Sequence, residues 1–273
     1  MLIKGGRRMN GIDVSNHNGN IDFNAVKSDG IELVYIKATE GTTYKDVNLS
    51  ANYSGALNAG CKIGFYHFLV GTSIPETQAE NFYNNIKDKQ NDLKPCLDVE
   101  KNNFDVMDYA LRFIKKFEAL SNLPLCIYTG GYFANDNLDS RVAKYPLWIA
   151  HYGVTTPMET NVWGKTYVGH QYSDSGSVNG ISGNVDLNNF FDGILVSETK
   201  GYVVTNYLPN GYKGNRSFEG IDLEYVLSYF DGVRCYVRGN AKGVWIETQM
   251  LPMSKCLELK NKLGSWFYSI ESK

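Results

Sequence analysis

From residue 10 to about 194, short apolar runs alternate with longer stretches in which apolar residues return every three or four positions. The runs predict strands at 11–14, 32–38, 61–68, 95–99, 125–128, 147–151, 167–171 and 185–187, all rich in Ile, Val, Tyr and Phe. The stretches between them predict helices at 23–28, 44–59, 76–87 and 105–120. In the last of these, Val106, Tyr109, Ala110, Phe113, Ile114 and Phe117 make one apolar stripe. Repeated β-then-α units imply a mostly parallel sheet with helices outside it. Eight strands favour closure into an irregular (β/α) barrel, although periodicity by itself fits an open doubly wound sheet as well.

At residues 197–201 the pattern lapses into Ser-Glu-Thr-Lys-Gly, which reads as a linker. Beyond it, strands are expected at 202–207, 233–237, 244–250 and 265–270, and helices at 223–230 and 253–263. Gly239-Asn240 and Gly243 suit a hairpin turn, and Gly264 a helix stop. The order β-α-β-β-α-β predicts a second, small α+β domain over 202–273. At the other end, residues 1–8 fit neither pattern. Lys-Gly-Gly-Arg-Arg is encodable by purine-only codons resembling a ribosome-binding site, so Met9 is the expected start and 1–8 a translated leader, with a basic tail as the alternative. Residues 9–196 then form the large domain. Purine codons are also possible at Lys200-Gly201, ahead of Val203 and Val204, and would permit separate translation of the tail.

The composition narrows the function. A net charge of −2 argues against a dedicated nucleic-acid binder, which carries a basic excess. Residues 201–273 hold nine Lys and Arg against seven Asp and Glu, a mild aid on an anionic polymer. No apolar run reaches the ~18 residues of a membrane-spanning helix, and no secretory signal pattern is visible. The five cysteines, at 61, 96, 126, 235 and 256, include no CxxC pair, and buried free thiols are expected. His17, His67, His151 and His170 form no HExxH spacing, which disfavours a zinc amidase or peptidase, and no phosphate-binding GxxxxGK[ST] loop occurs. A Cys/His peptidase built on Cys61 or Cys126 with His67 would need a nucleophile set among apolar strand neighbours. No metal or cofactor is expected.

The main chemical signal is Cys96-Leu-Asp-Val-Glu100. In a strand, residues i and i+2 point to one face, so Asp98 and Glu100 project together from backbones about 6.6 Å apart. Two adjacent carboxyls drive their pKa values apart, leaving an acid and a base at one pH, the equipment of glycoside hydrolysis. DxE alone also describes a solvated strand end. Asp13, in Gly-Ile-Asp-Val-Ser-Asn-His-Asn-Gly, and Asp186, in Asn-Val-Asp-Leu-Asn, end other strands, though Asp beside Asn and Gly is also ordinary turn chemistry. Tyr66, Tyr128, Trp148 and Gln171 fall at further strand ends and are candidates for contact with a sugar, core packing being the alternative for Tyr66 and Trp148. Lys37 is a candidate counter-charge to the acids or a snorkelling surface lysine.

Read in order, Gly11-Ile-Asp-Val-Ser-Asn-His-Asn-Gly19, Tyr35-Ile-Lys-Ala-Thr-Glu-Gly41, Gly64-Phe-Tyr-His-Phe68, Leu97-Asp-Val-Glu100, Pro146-Leu-Trp-Ile-Ala-His-Tyr152 and Val185-Asp-Leu187 resemble the motifs of glycoside hydrolase family 25. These are muramidases of phage endolysins and bacterial autolysins, and the clostridial phage type is the most similar. The resemblance covers about 10–194. It implies an irregular (β/α) barrel that cleaves the β-1,4 bond from N-acetylmuramic acid to N-acetylglucosamine in peptidoglycan. By motif position Glu100 is the general acid, Asp98 its partner carboxylate, and Asp13 and Asp186 complete the acidic cluster. It further implies a lysin held in the host cytoplasm until lysis and then acting on the wall. The longer DxxDxDxE run of chitinases is absent, since Leu93 and Cys96 stand where it needs acids. The tail's order, with Leu-Pro after the first strand of each half, resembles the SPOR peptidoglycan-binding domain. A Src-homology-3-like module is disfavoured by its two helices. A non-catalytic glycan binder and a peptide-cleaving lysin are the alternatives from other classes.

Overall fold

The computed structural model describes residues 7–196, 200–210 and 219–272 and divides into two compact units between Val196 and Ser197. Most of the expected leader (1–6) and linker residues 197–199 lie outside the described residues.

The first unit is a closed eight-stranded barrel with helices outside. Its strands are β1 (Met9–Val14), β2 (Leu33–Glu40), β4 (Lys62–Phe68), β5 (Cys96–Asp98), β6 (Cys126–Gly130), β7 (Leu147–Ala150), β8 (Gly169–Gly176) and β9 (Val185–Phe190), with a two-residue β3 (Tyr44–Lys45) on the edge of β2. Pairing is parallel from β1 through β2, β4, β5, β6 and β7 to β8. The irregularity lies at the closure, where β9 runs antiparallel to both β8 and β1. The helices are α1 (Phe23–Ser28), α2 (Leu49–Asn58), α3 (Pro75–Ile86), α4 (Val106–Leu120) and α5 (Gly131–Asn137).

Local chemistry sets these limits. Asp22 and Asp105 cap α1 and α4 by accepting backbone N–H groups of the first turn, and α3 opens on Pro75. The helix expected over 44–59 starts late. Asp46 accepts from the backbone N–H of Asn48 and Asn16, which holds a turn there, and Tyr44–Lys45 pairs with Thr39–Glu40. The unexpected α5 buries only Gly131 and Ala134, so it has no apolar stripe to read.

Both faces of the barrel strands are buried, as parallel strands under a helical layer must be. Along β2, Val34 and Ile36 face the helices and belong to the same apolar cluster as Phe82, Phe113 and Phe117. Leu33 and Tyr35 face the interior with Cys96, Cys126, Tyr128, Trp148 and Phe190. Tyr35 stacks on Trp148 at 4.6 Å between ring centroids, and Phe190 meets Trp148 edge-on at 5.2 Å. The aromatic plug requires glycine beside it. A Cβ at Gly11 would stand 2.6 Å from the Phe190 ring, and one at Gly169 would stand 2.8 Å from both Phe190 and Trp148.

The second unit contains β10 (Lys200–Thr205), α6 (Leu223–Leu227), β11 (Cys235–Asn240), β12 (Gly243–Thr248), the short β13 (Leu251–Pro252), α7 (Met253–Leu263) and β14 (Phe267–Glu271). The sheet order is β11-β12-β10-β14, antiparallel throughout, the split arrangement that two interleaved βαβ halves produce. Val203, Val226, Phe230, Ile246, Cys256, Leu259 and Leu263 form a separate core. All five cysteines are free, four of them buried and Cys235 half-buried.

Candidate active site

Parallel strands aim their carboxyl ends at one rim of the barrel, and the residues there surround a cavity of about 270 Å³. Asp13, Lys37, Tyr66, Asp98, Glu100, Tyr128, Trp148, Gln171 and Asp186 all line it, so the structure brings together every site residue expected from the sequence. It adds Ser15, His17, Phe68 and Tyr152 to the lining, and Asn188 behind it. Ser15 follows Asp13 by two residues and Asn188 follows Asp186 by two. The same-face spacing that exposed Asp98 and Glu100 would have found both.

The acids form two pairs. Strand β5 ends at Asp98, but the Val99 N–H still donates to the Tyr128 carbonyl. The chain therefore stays extended for one more step and delivers Glu100 to the same cavity. Asp98 is buried at 6% exposure, and no amide or hydroxyl reaches its Oδ1 among the described residues. Burial, and then the charge and hydrogen bond of Glu100, push the Asp98 carboxyl well above the ordinary range. Glu100 opens to solvent at the cavity mouth and is itself raised, first by loss of hydration. The pair thus keeps one proton where free carboxyls have none.

Asp13 and Asp186 are direct partners across β1 and β9. Asp13 Oδ2 accepts from Asn188 Nδ2 at 2.7 Å and Gln171 Nε2 at 2.9 Å. Burial raises Asp13, and these donors oppose the rise. Asp186 is pushed up to about 8 by burial and then by Asp13. Lys37 Nζ sits 2.7 Å from Glu40 Oε2 and 5.1 Å over the Phe68 ring, supplying positive charge at the rim.

The rings line the cavity unequally. Trp148 is 2% exposed, with one face on Tyr35 and its Nε1–H donating to Asn188 Oδ1 at 2.8 Å, so it forms the floor. Tyr128 is also buried and donates to Gln171 Oε1 at 2.7 Å. Tyr66 and Tyr152 are partly open. Burial and then the acids push Tyr66 well up, and burial pushes Tyr152 up to about 12, so both remain hydroxyl donors. Among the described residues no cluster of three His, Cys, Asp or Glu side chains is arranged to hold a metal ion.

A closed barrel whose strand ends gather carboxyl pairs, hydroxyls and a tryptophan floor defines a site of the glycoside-hydrolase class. Residues 12–181 match glycosyl hydrolases family 25, and the chain belongs to that family. It is 50% identical over 194 residues to an autolytic lysozyme of Clostridium acetobutylicum, a match covering 70% of this chain and 58% of that protein's length. It is also similar to the solved bacterial lysozyme of Streptomyces coelicolor, with a TM-score of 0.62 and 36% identity over 68% of this chain and 93% of the other. The Clostridium perfringens spore cortex lytic enzyme SleM aligns over 91% of this chain and 88% of its own at a TM-score of 0.64. Its 19% identity makes that a likeness of fold.

Proposed function

We propose that the chain is an N-acetylmuramidase that hydrolyses the β-1,4 bond between N-acetylmuramic acid and N-acetylglucosamine in bacterial peptidoglycan. The observation that carries this reading is the convergence of Asp98 and Glu100 with Asp13 and Asp186 in one cavity on a family 25 barrel. Glu100, at the open mouth, takes the pair's proton from Asp98 through their hydrogen bond and delivers it to the departing glycosidic oxygen, leaving Asp98 as the carboxylate. Asp98 is hydrogen-bonded to Glu100, whereas an inverting pair stands ~6.5–9.5 Å apart to admit water. That contact favours a route in which Asp98 orients the sugar's own 2-acetamido oxygen to attack the anomeric carbon. The C–O bond to the leaving sugar breaks as the Glu100 proton moves to it. Water, giving its proton back to Glu100, then opens the oxazolinium with net retention. Asp13 and Asp186 face the positive charge that develops on the ring. Proton NMR of the first-formed anomer tests the route, and an initial α-product would refute it.

The 202–273 unit is proposed to hold the enzyme on the wall. Tyr207, Tyr236 and Tyr268 are exposed, with Trp245 partly buried near them, and together they offer rings to glycan. The resemblance to the SPOR domain points the same way, as does the mild positive charge of this part of the chain. The proposed setting is lysis of a host bacterium, the protein waiting in the host cytoplasm before reaching the wall.

The deciding experiment is Glu100→Gln on purified cell walls, followed by turbidity, reducing-end release and mass spectrometry of the fragments. Loss of a general acid costs roughly 10²–10⁴-fold, while wall binding is retained. Unchanged lysis would reject the assignment. Release of free amines in place of reducing ends would establish a peptide-cleaving lysin, and intact wild-type binding without cleavage a glycan-binding protein.

A further inference from the structure

The hydrogen bonds behind Asp13 run in one direction. Indole Nε1–H is a donor only, so the Trp148 contact forces Asn188 to present Oδ1 to the indole and Nδ2 to Asp13. Tyr128 and Tyr152 both donate to Gln171 Oε1, at 2.7 and 2.8 Å, which leaves Gln171 Nε2 for the same Asp13 oxygen. Asn188, fixed from behind by the indole, and Gln171, held by the two phenols, thus point two N–H donors at Asp13 Oδ2. A carboxyl oxygen accepting two such donors is suited to the anion, because hydrogen bonds to an ionised acceptor are roughly twice as strong as those to a neutral acid. Across β1 and β9 the partner Asp186 has no such donors among the described residues and is hydrogen-bonded to Asp13.

We propose that this relay sorts the proton within the second acid pair. Asp13 is the standing carboxylate, Asp186 is its protonated neighbour, and Trp148, Asn188 and Gln171 are positioning residues that act through Asp13. The pair then presents one fixed negative charge to the reacting sugar. The remaining titratable and charged groups facing it are Asp98 and Glu100 at the end of β5, Lys37 from β2, Tyr66 from β4, Tyr128 from β6, Tyr152 beyond β7, Asp174 from β8 and His17 after β1. The acids among them oppose a second negative charge on the pair, which reinforces retention of the Asp186 proton; Lys37 opposes that retention. The effect on activity rests on the muramidase reading, but the proton assignment does not.

The test is a pH titration of the γ-carboxyl carbons in ¹³C-aspartate-labelled full-length protein, with the two resonances assigned through Asp13→Asn and Asp186→Asn. The Asp13 signal should sit at a carboxylate position at pH 7, and the Asp186 signal should move in a step near pH 8. An Asp186 resonance already ionised at pH 7 would overturn the assignment, whatever Glu100→Gln does to lysis. The relay is tested by Asn188→Leu and by Trp148→Phe, which keeps a ring but deletes the N–H. Loss of a donor to Asp13 raises its pKa, so the acid limb of the rate profile should move to higher pH, by about one unit in Asn188→Leu and less in Trp148→Phe. A merely structural role would lower the rate at every pH and leave the limb in place, and that result in both variants would refute the relay. Should both variants fail to fold, the wild-type titration still decides where the proton lies.

Discussion

Replacing Asp186 by Asn should make the barrel less sensitive to alkali. The carboxyl is raised from 3.8 to about 8 in the folded chain. Over that window the native state holds a proton that the unfolded state has released, so unfolding stability falls as pH rises from about 4 to about 8 and is level beyond it. The interval from 3.8 to about 8, at 1.36 kcal/mol per pH unit, sets an upper bound of about 6 kcal/mol. Water enters through the open cavity and Asp186 titrates against the neighbouring Asp13 charge, so screening brings the expected effect to about 2–3 kcal/mol. Asn keeps an N–H to offer Asp13 and cannot ionise. Asp98 and Glu100 push wild type and variant in the same direction, and comparing the two isolates Asp186. The assay is urea unfolding at pH 5 and pH 9, fitted as two transitions because Trp148 and Trp163 report the barrel while Trp245 and Trp266 report the second unit. The barrel of the variant should lose about 2–3 kcal/mol less than wild type between the two pH values. An equal loss in both proteins would refute the reasoning.

His67 should produce the opposite limb. It is fully buried, with Nδ1 2.8 Å from Thr39 Oγ1 and Nε2 3.2 Å from Gln78 Oε1, and burial pushes it down to about 3. The unfolded chain protonates it below about 6.5, so stability is lost as pH falls from there toward 3, by up to about 5 kcal/mol; His67→Gln should shallow that acid limb in the same urea assay. Gly169→Ala should cost about 1–3 kcal/mol, because its Cβ would stand 2.8 Å from both the Phe190 and Trp148 rings. Since Trp148 orients Asn188, the same variant should also slow wall lysis, and calorimetry with a turbidity assay checks the two effects together.

The sequence displayed the barrel through its strand and helix periods, and the site through repeated i, i+2 spacing at strand ends. It was silent where local pattern carries no direction. Leu33, Val34, Tyr35 and Ile36 are all buried, so nothing in their order told that Tyr35 points inward to stack on Trp148 while its neighbours meet the helices. For the same reason Trp148 was legible as a strand-end aromatic, while its place in the floor depends on strand packing. The 44–59 helix was over-extended because a turn fixed by Asp46 across to Asn16 is a contact between distant segments. Tyr152 lay inside a recognised motif, but its hydroxyl acquires a role only once β8 brings Gln171 beside it.

The same packing explains why the acid cluster sits where it does. Four carboxyls in one partly dry cavity oppose folding, because charge confined there loses hydration and meets like charge. The barrel offsets this with the most closely interlocked part of its interior. Directly behind the cavity Tyr35, Trp148 and Phe190 are at most 2% exposed, and Gly11 and Gly169 admit the rings at contact distance. That rigid floor also carries the donor that orients Asn188, and through it Asp13. Substitutions in the floor should therefore alter stability and the pH dependence of catalysis together. The outer core around Phe82, Phe113 and Phe117 lies on the far side of the strands, and truncations there should reduce stability without moving the limbs of the rate profile.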